Sequence, residues 1–277
     1  MKWLIDIFVN LGFLYNKTLV ADQLDRGQND GGDAQFGQCC VEKPEKEAEG
    51  RKLPLDHVAR YLWGLDAGHG IKTAGKRSPF VDFIIHILTP KRQLLEYEYN
   101  RDIIERIIEQ LSALGLAYFR TMPVHSNYGN ALEERVKTIN TTKSDLPILG
   151  ISVHGNAGPA RSVNHYTERS VRGFETWCYH TSTKGRKMAT VFQSHLMSCP
   201  FVAEVPATQP PIVNRGVRSR ITKQFYILRA TKFPVVLTEN LFFNNKYDLD
   251  LMCREEIRQQ IANAHVDAII EIELNGI

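Results

Sequence analysis

No run of 18 apolar residues occurs in this 277-residue chain, which argues against a membrane-spanning helix. Cysteine is scarce: five residues, Cys39, Cys40, Cys178, Cys199 and Cys253. The number is odd, no CxxC pair exists, and adjacent Cys39 and Cys40 have poor geometry for bridging each other. A chain this long also builds its core without staples, so a disulfide framework is excluded and Cys178 and Cys199 read as small buried hydrophobes. No internal repeat is present. Met1–Leu14 has one early lysine followed by apolar residues, but Asp6 and Asn10 interrupt the run and no small-x-small cleavage site follows. It reads as a short amphipathic segment rather than a clear signal peptide. Residues 21–52 are poor in apolar groups and hold Gly27, Gly31, Gly32 and Gly37. Such a stretch cannot bury enough surface to offset the entropy of ordering. The expected organisation is an N-terminal segment with a flexible linker, residues 1–55, followed by one folded domain, residues 56–277.

What is present begins with charge. The net +3 hides an asymmetry: residues 1–50 carry 5 Lys/Arg against 9 Asp/Glu, whereas the remainder carries 29 against 22. A mildly cationic body suits a polyanionic partner such as a cell wall or a nucleic acid, and fits equally a solvated surface without one.

From Asp56 onward strand and helix patterns alternate, which predicts an α/β domain with a mainly parallel central sheet and helices on both faces. Strands are expected at Tyr61–Leu65, Phe83–Leu88, Leu116–Phe119, Ile148–Val153, Gly173–Tyr179 and Val235–Thr238. Helices are expected at 96–114, with Ile103, Ile107 and Leu111 on one face and Gly115 as the stop, and at Asn130–Asn140, Lys184–Met197 and Tyr247–Ala264. Residues 198–215, with four prolines, read as a long loop, and Val266–Leu274 as a closing tail.

Three apolar runs deliver a chemically capable side chain at the carboxyl end of a strand, the edge where sites assemble in open α/β sheets. Leu62–Leu65 leads into Asp66-Ala67-Gly68-His69-Gly70. Ile148–Val153 leads into His154-Gly155-Asn156-Ala157. Phe233–Thr238 leads into Glu239-Asn240. Two imidazoles and a carboxylate are the donor set of a catalytic zinc site, which also needs an open position and a base for water. Glu239 could serve as ligand or base. Glu96 and Glu98, at the start of the 96–114 helix, are both placed to supply the remaining role.

These segments resemble the zinc-dependent N-acetylmuramoyl-L-alanine amidases of the Amidase_3 family, phage and prophage lysins among them. The correspondence runs through D-x-G-H-G at Asp66–Gly70, E-x-x-x-N at Glu96–Asn100, S-x-H-x-N-A at Ser152–Ala157, G-x-E at Gly173–Glu175, R-G-V at Arg215–Val217, and the glutamate Glu239 followed by Phe242-Phe243-Asn244-Asn245-Lys246-Tyr247-Asp248. Arg120 and Arg135 also match. The order holds across about residues 60–265. The family usually has glycine two residues after its catalytic glutamate, where this chain has Leu241, and the Gly70–Pro79 segment is idiosyncratic.

The resemblance implies hydrolysis of the amide between N-acetylmuramic acid and L-alanine, with peptidoglycan rather than nucleic acid as partner. It implies a Zn²⁺ ion on His69, Glu96 and His154, Glu239 as the catalytic base, and Asn156, Glu175 and Arg215 as substrate-binding candidates. Asp66 is expected to orient His69. Two other readings share the motifs: a zinc peptidase acting within the wall peptide, and an inactive wall-binding module of the same fold.

Overall fold

The computed structural model describes residues 52–80, 93–123 and 129–277. Its order is β1 (Leu62–Ala67), α1 (Glu96–Ala113), β2 (Tyr118–Arg120), α2 (Leu132–Thr141), β3 (Ile148–Asn156), β4 (Phe174–Cys178), α3 (Thr183–Met197), α4 (Pro200–Ala203), β5 (Asn214–Arg218), α5 (Tyr226–Ala230), β6 (Val235–Phe242), α6 (Lys246–Met252) and α7 (Glu255–Asn275). The six strands form one sheet in the order β2-β1-β3-β6-β4-β5. Every neighbouring pair is parallel except β4 with β6, so β4 and β5 run against the other four.

Side-chain alternation along the strands sets up two apolar layers. In β6, Val236 joins a large cluster on one face with Ile103, Ile107 and Leu111 of α1, Phe192 of α3 and Ile269 of α7. Its neighbours Val235 and Leu237 join a smaller cluster on the other face with Val136 and Ile139 of α2 and Ile227 and Leu228 of α5. Helices thus cover both faces of a mostly parallel sheet, as the alternating pattern predicts. Full burial of each such aliphatic side chain stabilises the domain by about 1.5–3 kcal/mol. At the end of α1 Gly115 takes φ +69°, and Leu116 N–H donates to Leu111 O at 3.0 Å, the hydrogen bond of a left-handed helix stop.

Several expectations are corrected. The segment expected as one helix at 247–264 is two, broken at Cys253 and Arg254. The expected tail at 266–274 is helical, because Val266, Ala268, Ile269 and Ile272 recur at helical spacing and are all buried. Residues 198–215 are not all loop: Pro200 opens the short helix α4, where its missing N–H costs nothing, and Asn214 begins β5. Helix α5 carried no periodic signal in its five residues. Strands β3 and β6 run past their expected ends, so His154 and Glu239 lie within strands rather than after them. The expected strand at Phe83–Leu88, the segment 1–20 and the linker at 21–52, apart from its last residue, Lys52, lie outside the described residues. Among the described residues no helix is long and apolar enough to cross a membrane, and Cys178 and Cys199 are buried.

Candidate active site

Strand register assembles the site. His154 pairs with Glu239 across β3 and β6, and Glu239 pairs in turn with Glu175 on β4. These side chains share one face at the carboxyl end of the parallel strands. His69 arrives from the turn after β1 with φ +62°, a left-handed conformation uncommon for a residue with a Cβ. The turn is held by Arg135 of α2, whose guanidinium donates to Ala67 O and His69 O, both at 2.5 Å, and to Asn130 O at 2.9 Å. Gly68 makes room for the neighbouring ring: a Cβ there would lie 2.1 Å from His154 Cε1.

Glu96 opens α1 and is fully buried. Its Oε1 lies 3.2 Å from His69 Nε2 and 3.1 Å from His154 Nδ1, and the three donor atoms fall within 4.8 Å of one another. The outer hydrogen bonds determine what these atoms present. His69 Nδ1 is 3.0 Å from Asn130 Oδ1, which only accepts, so Nδ1 carries the proton and the Nε2 lone pair faces Glu96. Asp66 accepts from Arg135, Thr121 and Ser152, the last at 2.6 Å. The Ser152 proton is therefore committed to Asp66, and Ser152 Oγ accepts from His154 Nε2 at 3.2 Å. That leaves the His154 Nδ1 lone pair also facing Glu96. Two imidazole lone pairs directed at one carboxylate oxygen repel unless a cation or a shared proton lies between them. The residues fit a zinc ion on this ground, in the two-His, one-carboxylate donor chemistry of catalytic zinc, with each imidazole oriented through its other nitrogen.

The electrostatics agree. Burial works against ionisation of Glu96, but a proton shared with the two imidazoles in the place of that cation, together with Lys76 Nζ, 3.4 Å from Oε2, outweighs it and holds the carboxyl well below the usual range. Glu96 Oε2 has no hydrogen-bond partner. Burial pushes His154 down, favouring the neutral ring a metal requires. For Asp66, burial is outweighed by Arg135 and by the Ser152 and Thr121 hydroxyls, so it stays ionised. Asp66 acts on His154 through Ser152 and on the His69 turn through Arg135, while Asn130 holds the His69 ring itself.

Glu239 is 8 % exposed and lines a cavity of about 140 Å³ with His69, His154, Lys76, Phe225, Tyr226 and Leu237. Burial, then the negative charge of Glu96, push its carboxyl well above the ordinary range, and its Oε2 has no partner. A desolvated carboxylate beside a cation site is the environment of a general base. The remaining three candidates form a second cluster. Asn156 Nδ2 donates to Glu175 Oε1 at 3.0 Å, Trp177 Nε1 donates to the same oxygen at 3.1 Å, and Arg215 Nε donates to Oε2 at 2.9 Å. Both oxygens of Glu175 are occupied internally.

The N-acetylmuramoyl-L-alanine amidase family Amidase_3 matches residues 64–271. The chain belongs to this amidase family. It is 25% identical over 224 residues to an endolysin of Bacillus phage SPP1, covering 78% of this chain and 66% of that protein. It is 27% identical over 214 residues to the N-acetylmuramoyl-L-alanine amidase LytC of Bacillus subtilis, covering 74% of this chain and 34% of LytC. The fold is that of the N-acetylmuramoyl-L-alanine amidase from Clostridium difficile 630, with a TM-score of 0.59 at 21% identity, covering 79% of this chain and 99% of that one.

Several residues around the candidate site belong to none of the sequence motifs. Lys76 lies in the idiosyncratic segment after His69, and its contact with Glu96 depends on that segment folding back, where Glu96 N–H donates to Lys76 O at 3.0 Å. Asn130 precedes α2 without a motif. Phe225 and Tyr226 reach the cavity from a helix that sequence periodicity did not show.

Proposed function

We propose that this chain hydrolyses the amide bond joining N-acetylmuramic acid to L-alanine in peptidoglycan, with a zinc ion held by His69, Glu96 and His154. The observation that carries the reading is the convergence of those three donor atoms beside a desolvated Glu239. When bound, zinc supplies a Lewis acid that lowers the pKa of water and polarises the scissile carbonyl. Glu239 takes the proton from water as its oxygen adds to the carbonyl carbon. It returns that proton to nitrogen as the C–N bond breaks, leaving a carboxylate on the lactyl side and a free L-alanine amine. Asn130 and the Ser152–Asp66 pair hold the imidazole tautomers. Asn156 and Arg215 are the substrate-facing members of the second cluster, and Glu175 positions them.

Retention of the whole set, base included, argues for an active enzyme over a silent wall-binding module. The catalytic domain is proposed to span residues 56–277. His57 Nε2 and the Arg60 and Trp63 N–H groups gather on the buried Glu273 of α7, which ties the start of that span to its end. A chain beginning at Asp56 is expected to fold, as read by circular dichroism, and to cut the same bond.

Mass spectrometry of digested peptidoglycan tests the function. The expected products are glycan strands with an unsubstituted lactyl carboxylate and peptides beginning with L-alanine. Cleavage confined to bonds within the peptide would replace this reading with a zinc peptidase, and intact peptidoglycan with a zinc-loaded protein would replace it with a binding module.

A further inference from the structure

The guanidinium of Arg220 lies 4.3 Å from the ring centre of Trp177 and 5.2 Å from that of Phe225. Those two rings meet edge to face, centres 5.2 Å apart. Phe225 also lines the cavity holding His69, His154 and Glu239, and the positive charge of Arg220 is felt at Glu239. Arg220 lines a small adjoining pocket with Trp177, Gln224 and Phe225, and the Phe225 ring is the wall that this pocket shares with the catalytic cavity.

Its neighbours in the chain sit against the Glu175 carboxylate, and Arg218 also lies 5.5 Å from the ring centre of Trp177. Arg215 donates to Glu175, and Arg218 has Nε 3.7 Å from the same carboxylate while its Nη1 donates to Arg215 O at 3.3 Å. Among the described residues Arg220 has no carboxylate and no hydrogen-bond acceptor, and it is exposed. Contact with the two rings, which stand nearly perpendicular to each other, restrains the guanidinium without using its N–H donors, and those donors suit a carboxylate.

We propose that Arg220, seated on Trp177 and Phe225, forms a subsite for a carboxylate on the peptide side of the scissile amide. The side follows from the substrate's chemistry: the muramic acid carboxyl is the acyl half of the scissile amide, so a free carboxylate near that bond belongs to the peptide. The inference rests on the amidase reading for the identity of that peptide. It makes the enzyme sensitive to whether the residue after L-alanine carries a free carboxylate or its amide.

The test compares two synthetic ligands, N-acetylmuramoyl-L-alanyl-D-isoglutamate and its isoglutamine counterpart, with the zinc-loaded wild type and Arg220→Gln. Charge-assisted hydrogen bonds of this kind change affinity by roughly tenfold to a hundredfold. The wild type is expected to favour the free carboxylate by that factor, expressed in KM, and Arg220→Gln to lose the preference. A wild type that treats both ligands alike, or a variant that keeps the preference, overturns the subsite. If the wild type cleaves neither ligand the amidase reading fails instead. Calorimetric binding of the same pair then decides the subsite by itself, through the presence or absence of the carboxylate preference and its dependence on Arg220.

Discussion

Gly68 and His154 are in contact across β1 and β3 such that any Cβ on Gly68 would overlap the imidazole, 2.1 Å from Cε1 and 2.2 Å from Nε2. The overlap is with the far end of a side chain, not with backbone. Gly68→Ala is therefore expected to keep the fold and to swing His154 away from Glu96. Zinc affinity should fall by at least roughly tenfold, the scale seen when groups orienting a metal ligand are lost. Equilibrium dialysis against zinc, with circular dichroism as the control for folding, reads this directly. Unchanged affinity would show that His154 is not needed by the metal.

Glu96 and Glu98 separate by helix geometry. Two residues apart on α1 they point about 200° from each other. Glu96 faces both imidazoles, whereas Glu98 is exposed and accepts from the Tyr97 hydroxyl at 2.9 Å. Glu96→Gln is expected to remove most zinc binding and with it turnover. Glu98→Gln should leave both within about twofold, since a solvated surface hydrogen bond contributes little. Metal content and turnover of the two variants, measured side by side, check the assignment, and the reverse pattern would sink it.

The strand-end residues were legible because each requires only local pattern: an apolar run ending in a glycine-flanked histidine, or in glutamate. What the sequence concealed depends on register and long-range folding. Asp66 sits three residues before His69, yet reaches His154, because Asp66 and Ser152 are opposite one another in the β1–β3 ladder. Lys76 meets Glu96 through a long-range pairing, in which Arg77 bridges Leu95 and Glu96 N–H donates to Lys76 O at 3.0 Å. Leu241 shows a conflict that local propensity could not resolve. It stands where the family usually has glycine and adopts φ +65°, held by its N–H to Gly173 O at 3.1 Å and by complete burial. Tertiary packing there outweighs a backbone conformation that costs about 1–3 kcal/mol. Helices α4 and α5 have four and five residues, too few for a periodic signal.

His265 gives the domain a predictable acid sensitivity. It is fully buried on α7, with Nδ1 2.8 Å from Ile261 O and Nε2 2.9 Å from Thr238 Oγ1. Nδ1–H donates to the carbonyl and Nε2 accepts from the hydroxyl, which satisfies the neutral ring. Burial pushes its pKa down to about 4, from 6.5 when free. A group depressed on folding binds more protons in the unfolded chain, so stability is present above pH 6.5 and is lost as pH falls toward 4. The contribution is on the order of 3 kcal/mol at most. Urea unfolding at pH 7 and pH 4.5 should show the decline in the wild type and a smaller one in His265→Gln. Equal declines in both would place the acid sensitivity elsewhere.

Glu239 separates base from ligand. It faces the cavity beside His154, with one oxygen lacking any partner, and it makes none of the contacts that tie Glu96 to the imidazoles. Glu239→Gln is nearly isosteric, and the amide removes both the proton-accepting oxygen and the cost of burying a charge. The variant is expected to be at least as stable as the wild type and to bind zinc with similar affinity, while turnover falls by about 10²–10⁴-fold. Thermal unfolding, zinc content and the rate of release of L-alanine amino termini from peptidoglycan measure the three quantities. Zinc loss in this variant would make Glu239 a ligand and reopen the role of Glu96, and wild-type turnover would make it structural. Only the combination of retained metal, retained fold and lost rate identifies the group that moves the proton.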